Sequence, residues 1–105
     1  MKILIIDDNE QIRRSTARCL QIRGHEVLLA DNGLEGLALA LEATPDRILC
    51  DYDMPGINGV QVYERLPVEL QERLYLWTGS DAVSFPRVIE KPCNFLELTA
   101  RAHIV

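Results

Sequence analysis

The sequence contains no apolar run long enough to cross a membrane. Its longest uninterrupted apolar stretches are about five residues, whereas a transmembrane helix needs ~20. The short run at 3–6 meets two aspartates at once, and a secretory signal would need a longer apolar stretch and a cleavage site. The sequence therefore predicts a cytoplasmic protein without a membrane segment.

Basic residues are also scarce, with 11 lysines and arginines against 16 acidic residues and a net charge of −5. A nucleic-acid-binding module usually shows a basic surface, so we predict no direct contact with nucleic acid. Hydrophobic residues make up 48% of the chain, which excludes a disordered protein. The length fits a single domain over residues 1–105.

Cysteine is too sparse to indicate disulfides or a zinc site. Cys19, Cys50 and Cys93 are an odd number, and no two of them form a C-x-x-C pair. A zinc site would need closely spaced His or Cys partners, and His25 and His103 do not supply them. The three cysteines are therefore interpreted as reduced thiols.

The chain is rich in short apolar segments that alternate with helical patterns. Strands are predicted at 3–6, 26–30, 47–50, 74–78 and 87–90. Apolar residues between them recur at helical spacing, for example Leu34, Leu37 and Leu41. Strand–helix alternation predicts an α/β fold with a parallel sheet, and the continuously apolar strands indicate helices on both faces.

Polar residues follow four of these predicted strands. They are Asp7 and Asp8, Asp51, Thr78 and Lys91. In an open parallel sheet the functional crevice lies at the carboxyl ends of the strands. We therefore expect three carboxylates, a hydroxyl and an ammonium group to meet in one cleft.

Clustered carboxylates need a counter-charge. Two unit charges ~4 Å apart repel by about 4 kcal/mol at an effective dielectric near 20. Mg²⁺ prefers oxygen ligands and commonly binds one or two carboxylates together with a phosphate. One carboxylate could then act as a nucleophile toward a phosphoryl group, while Lys91 and Thr78 contact its oxygens.

In order and position, these motifs resemble the receiver domain of bacterial response regulators. The matching segments are Ile5-Ile6-Asp7-Asp8, Asp51-x-x-Met54-Pro55-Gly56-x-x-Gly59, Thr78-Gly79 and Lys91-Pro92. The resemblance implies a flavodoxin-like, doubly wound five-stranded sheet in the order 2-1-3-4-5. It also implies that Asp51 accepts a phosphoryl group from a histidine kinase or a phosphotransfer protein, so that the domain is a signalling switch and not an enzyme.

The resemblance further implies a Mg²⁺ site. Asp8 and Asp51 would be direct ligands, Asp7 would act largely through water, and the main-chain carbonyl of Asp53 would complete the protein ligands. The side chain of Asp53 would also tune the lifetime of the phosphoryl group, together with Ser80.

The remaining implied roles fall on the fourth and fifth strands. Thr78 would move toward the phosphoryl group and Lys91 would pair with it. The Lys91–Pro92 bond is expected to be cis.

Two departures from the family pattern concern signal output. Only the eight residues from Gly79 to Pro86 separate the fourth and fifth strands, so the fourth helix is predicted to be missing or vestigial. Val88 stands where the family usually has Tyr or Phe, and Phe85 does not match that position. The usual coupling from Thr to an aromatic residue is therefore in doubt.

The first helix is rich in arginine. Arg14 and Arg18 lie one turn apart and share a face. This face is either an ordinary solvated surface or a docking surface for an acidic patch on the kinase or phosphotransfer protein.

Three alternative functions share parts of this pattern. A degenerate receiver would serve as an interaction module without phosphorylation. Asp51-x-Asp53 also resembles the nucleophile motif of haloacid dehalogenase-type phosphohydrolases, but Met54-Pro55 does not fit it. A flavodoxin-like cofactor binder would need a phosphate-binding loop after the first strand, where this chain has aspartates.

Overall fold

The fold centres on one five-stranded parallel sheet in the order β2-β1-β3-β4-β5, as predicted. The computed structural model describes residues 1–79, 84–91 and 94–105. The strands are β1 Lys2–Ile6, β2 Glu26–Ala30, β3 Arg47–Cys50, β4 Leu74–Thr78 and β5 Val88–Glu90. All five predicted strands thus agree with the structure to within one residue at each end, and the second, third and fourth have the same bounds at both ends.

Five helices flank the sheet within the described part of the chain: α1 Glu10–Ile22, α2 Gly33–Ala43, α3 Gly59–Arg65, α4 Val68–Gln71 and α5 Phe95–Arg101. Among the described residues, none of these helices has the length and apolar character that crossing a bilayer requires. The one-turn helix α4 was not predicted, because a helix of four residues is too short to show a periodic pattern.

The side chains of β1 divide the core into two layers. Leu4 and Ile6 belong to the cluster that α2 and α3 cover, whereas Ile3 and Ile5 belong to the cluster under α1 and α5. Successive side chains of a strand point to opposite faces of the sheet. The predicted cover on both faces is therefore confirmed.

Asparagine residues start four of the helices. Asn9, Asn32, Asn58 and Asn94 each accept a hydrogen bond from the backbone N–H three residues later. This bond satisfies one of the unpaired donors at a helix N-terminus. The caps fix where α1 and α5 begin relative to the sheet edge.

Helix α2 lies unusually close to the sheet. The leucines that identify it in the sequence include Leu34 and Leu41, and both are exposed. The buried positions are instead Gly33, Gly36 and Ala40. A side chain at Gly36 would place its Cβ 2.4 Å from Ile6 Cδ1, so only glycine permits this approach.

The connection between β4 and β5 is short for two parallel neighbours, which usually need a dozen or more residues. No described residue between them is helical, and 80–83 lie outside the described residues. Phe85 packs edge-on against Tyr63 of α3, with 4.8 Å between ring centroids. Phe85 and Val88 thus add to the α2/α3 layer where a helix would normally lie. The expectations for Ser80 and the Lys91–Pro92 bond also fall outside the described residues.

Candidate phosphoryl-acceptor site

Parallel pairing of β1 and β3 places two aspartates side by side. Ile6 is in register with Cys50, and the Asp51 amide donates to the Ile6 carbonyl at 2.8 Å. Asp7 is held on its other side by its amide, which donates to the Ala30 carbonyl at 3.1 Å. Backbone hydrogen bonds between three adjacent strands therefore fix the main-chain positions of Asp7 and Asp51.

The predicted carboxylates lie together. One oxygen each from Asp7, Asp8 and Asp51 falls within 4.8 Å of the others. Asp7 and Asp51 are buried, with 1% and 7% exposure, while Asp8 is exposed. The cluster is thus anchored in the protein on one side and reachable from solvent on the other.

Lys91 approaches the same cluster from β5. Its amide donates to the Thr78 carbonyl at 2.8 Å, which ties it to the end of β4. Its Nζ lies 2.9 Å from Asp7 Oδ2 and 3.5 Å from Asp51 Oδ1. Thr78 is buried at this edge. The ammonium group therefore supplies the counter-charge that two buried carboxylates require.

Burial raises the pKa of Asp51 to about 6; Lys91 opposes this rise, whereas Asp7 and Asp8 add to it. The Lys91 charge therefore does not fully offset the cost of burying this carboxylate. Cys50 is different, because burial and then the charge of Asp51 raise the pKa of its thiol far above the ordinary range. Cys50 stays protonated and unreactive at neutral pH.

The donor set fits a hard divalent cation. Mg²⁺ prefers carboxylate, carbonyl and water oxygens, and the three carboxylates can each offer one oxygen within 4.8 Å of the others. The exposure of Asp8 leaves room for the water ligands that Mg²⁺ retains.

The segment between Asp51 and α3 folds back on itself. Gly56 has φ +82°, a conformation that glycine adopts without strain. The Gly59 amide donates to the Tyr52 carbonyl at 3.1 Å. A Cβ at Gly59 would lie 2.6 Å from the Asp51 carbonyl oxygen, so α3 can start here only with glycine. Asp53 is exposed on this turn.

Two residues at the site were not predicted from the sequence. Arg13 Nη1 donates to the main-chain carbonyl of Asp7 at 2.7 Å, but one arginine among three in α1 carries no distinguishing signal. Trp77 lies under Lys91, with Nζ 4.9 Å from the ring centroid. The sequence does not reveal this contact, because it depends on the register of β4 and β5.

The remaining predicted residues lie away from the acidic cluster. Arg14 and Arg18 are exposed on α1. Arg14 pairs with Glu10 at 3.0 Å, and both side chains are largely exposed. Val88 is half-buried in β5, on the α2/α3 side.

The family model described as "Response regulator receiver domain" matches residues 3–103. Among curated proteins, the chain is 43% identical to protein PilH of Pseudomonas aeruginosa over 65 residues, which are 62% of this chain and 54% of PilH. It is 33% identical over 85 residues to a nitrate/nitrite response regulator protein homolog of Haemophilus influenzae, covering 78% of this chain and 41% of that protein. The match thus spans about half the length of these relatives.

Solved structures show the same fold over nearly the whole chain. The receiver domain of the hybrid histidine kinase CckA superimposes with a TM-score of 0.84 at 30% identity, covering 98% of this chain and 96% of that one. The response regulator TrrA of Thermotoga maritima, solved in complex with Mg²⁺ and BeF, gives a TM-score of 0.83 at 26% identity, with 97% and 96% covered.

Proposed function

Because this chain belongs to the response regulator receiver domain family, we propose that residues 1–105 form one receiver domain that takes a phosphoryl group on Asp51. The observation that carries this proposal is the grouping of Asp51 with Asp7 and Asp8 within 4.8 Å, with Lys91 Nζ 3.5 Å from its carboxylate. The grouping combines a nucleophile, metal ligands and a cation for the transferred group.

Asp7, Asp8, Asp51 and the carbonyl of Asp53 would hold Mg²⁺. When bound, this ion offsets the charge of the carboxylates and of the incoming phosphoryl oxygens. The Mg²⁺–BeF complex of TrrA supports the same ligand chemistry in a protein of this fold.

The reaction is an in-line displacement at phosphorus. An ionised oxygen of Asp51 forms the new P–O bond as the P–N bond of a phosphohistidine breaks, and the electron pair of that bond leaves with the imidazole nitrogen. Asp51 must be deprotonated to attack, and the neighbouring ammonium of Lys91 favours its charged form.

Lys91 and Thr78 act on the product. Once Asp51 carries the phosphoryl group, the Lys91 ammonium pairs with a phosphoryl oxygen, and the Thr78 hydroxyl donates to another. The product is a signalling state of the protein, and the domain is therefore not an enzyme with a separate substrate.

The phosphoryl donor would be a sensor histidine kinase or a histidine phosphotransfer protein. We place its docking surface on α1, where Arg14 and Arg18 are exposed and could steer an acidic patch. A cytoplasmic location and the lack of direct contact with nucleic acid or membrane complete the proposal.

Intact-mass spectrometry after incubation with acetyl phosphate and Mg²⁺ tests the proposal. We expect one alkali-labile adduct, absent in Asp51→Asn and lost when Mg²⁺ is chelated. Glu72→Gln is the matched control, because Glu72 is an exposed carboxylate that precedes β4 at the other end of the sheet. This variant should form the adduct at the wild-type rate.

Two other results would replace the proposal. Failure of the wild type with acetyl phosphate and with several phosphorylated histidine proteins would favour a degenerate receiver that acts by interaction alone. Repeated hydrolysis of a small phosphate ester, many turnovers per chain, would favour the haloacid dehalogenase-type alternative, since a receiver is modified only once per cycle.

A further inference from the structure

The single tryptophan of the chain lies beneath the ammonium group of Lys91. We propose that Trp77 is a positioning residue for Lys91, and that its indole ring holds the ammonium where it can serve Asp51. This inference rests on the proposed function, because it assigns a role within the same phosphoryl-transfer site.

The backbone brings the two residues together. Trp77 lies in β4, directly before Thr78, and is in register with Ile89 of β5, two residues before Lys91. Lys91 Nζ lies 4.9 Å from the centre of the Trp77 ring. This distance is within the ~6 Å at which a cation is attracted to the face of an aromatic ring.

Tryptophan at this position leaves a buried hydrogen-bond donor unpaired in the part of the chain that the structure describes, which suggests that the residue has another role. Trp77 is 7% exposed, and its Nε1–H finds no hydrogen-bond partner among the described residues. A buried donor without a partner is destabilising, whereas phenylalanine would fill much of the same space without one. Tryptophan, however, offers the strongest cation–π face of the aromatic residues. Phenylalanine at this position would therefore attract the Lys91 ammonium less strongly than tryptophan does.

Lys91 needs such a restraint. Its ammonium group sits on a flexible four-carbon chain, yet it must lie 2.9 Å from Asp7 and 3.5 Å from Asp51. The two carboxylates pull it toward their own positions, and Asp7 holds it more closely. The ring supplies an attraction that persists when Asp51 becomes phosphorylated and the electrostatic balance among the carboxylates changes.

The first test compares rates of phosphorylation by acetyl phosphate. We expect Trp77→Leu to slow adduct formation by about 3- to 30-fold, and Trp77→Phe, which keeps a weaker aromatic face, to fall between it and the wild type. Leu98→Ala is the control, because Leu98 is buried in the same cluster as Trp77. It should lower the stability without a comparable loss of rate.

A double-mutant cycle separates positioning from packing. If Trp77 acts through Lys91, Trp77→Leu should have little further effect in a Lys91→Met background. If Trp77→Leu slows phosphorylation equally in the wild-type and Lys91→Met backgrounds, Trp77 does not act through Lys91 and is only a core residue. The same conclusion follows if Trp77→Leu slows phosphorylation no more than Leu98→Ala does.

A spectroscopic readout tests the contact without any phosphorylation. The ε-methylene protons of Lys91 should be shifted upfield by the ring current of Trp77 in the wild type, and return to the ordinary lysine position in Trp77→Leu. An unshifted wild-type signal overturns the inference even if Asp51 is phosphorylated. A wild type that shows the shift but accepts no phosphoryl group keeps the contact and refutes the proposed function, and with it the role in catalysis.

Discussion

The two sides of the sheet differ in the length of their helices and strands. On the β1–β3 side, helices α1 and α2 have 13 and 11 residues and form complete crossovers. On the β4–β5 side, β5 has three residues, and none of the described residues between β4 and β5 is helical. Yet Lys91 from the abbreviated side still reaches Asp7 and Asp51 from the complete side. The site depends on strand ends and register, and it does not require a long connection between β4 and β5.

The difference between the two sides affects the surface used for signalling more than the acidic site. Receivers with a full helix in this place commonly use that face to signal, and here side chains such as Phe85 cover part of it. A partner that recognises the β4–β5 side would therefore meet a different surface in this protein, while Asp7, Asp8, Asp51 and Lys91 still lie together at the edge of the sheet.

The largest difference between the two sides should come from a pair of glycine variants. In Gly59→Ala the new Cβ would meet the Asp51 carbonyl oxygen and Leu76 Cδ2 at 2.6 Å, which forces the backbone beside Asp51 to move. We expect a loss of about 3 kcal/mol in the free energy of unfolding, measured by urea denaturation, and slower phosphorylation.

Gly79→Ala is the matched change on the abbreviated side. Among the described residues, the nearest atom to the new Cβ would be the Lys91 carbonyl oxygen at 3.9 Å, an ordinary contact, so the stability should change by less than about 0.5 kcal/mol. Equal losses in the two variants would show that the β4–β5 connection is as tightly packed as the turn after Asp51.

The second effect is pH-dependent. In the metal-free protein, burial raises the pKa of Asp51 from its ordinary value of 3.8 to about 6. The folded state therefore binds this proton more tightly than the unfolded state. The stability that protonated Asp51 contributes is fully present below pH ~4 and is lost as the pH rises through 6.

Comparison with Asp51→Asn isolates this contribution. With chelator present, the variant should be more stable than the wild type by about 3 kcal/mol at pH 7, and the difference should shrink toward pH 4. Adding Mg²⁺ should narrow the difference at pH 7 by stabilising the wild type. A stability difference between variant and wild type that stays constant from pH 4 to 7.5 would mean that burial does not raise the pKa of Asp51.

The smallest effect concerns the cover on the abbreviated side. Phe85→Ala removes the edge-on contact with Tyr63 from a half-buried position. We expect a loss of about 1–2 kcal/mol in thermal or urea unfolding, with an unchanged rate of phosphorylation. Leu96→Ala, at an exposed position on α5, should change the stability by less than about 0.5 kcal/mol. A Phe85 variant as stable as the Leu96 variant would mean that this layer does not depend on Phe85.

Much of this architecture follows from the sequence, because buried parallel strands are continuous apolar runs. The segments 26–30, 47–50 and 74–78 contain little else but apolar residues, and they were located without error. The convergence of Asp7, Asp51 and Lys91 follows from the same strands, since parallel strands end at one edge of the sheet. The roles of these residues, in contrast, came from the family resemblance.

Other features could not be predicted because they depend on packing between distant segments. The exposure of Leu34 and Leu41 results from the close approach of α2 to the sheet, which no pattern within the helix reveals. The contact between Lys91 and Trp77 depends on the register of β4 and β5. Helix α4 is a single turn, shorter than the window in which periodicity can be recognised.

The asparagine at the start of α1 has a consequence for its neighbour. Aspartate is as good a helix cap as asparagine, and Asp8 and Asn9 are adjacent candidates, but only Asn9 accepts the Ile12 N–H. Asn9 therefore caps the helix, while Asp8 stays available to the acidic cluster. Removing one residue from this loop would set Asp8 at the start of the helix, where its carboxylate would accept a backbone N–H instead of lying beside Asp7 and Asp51. The spacing between strand and helix is thus as exacting a requirement of this protein as the identity of its acids.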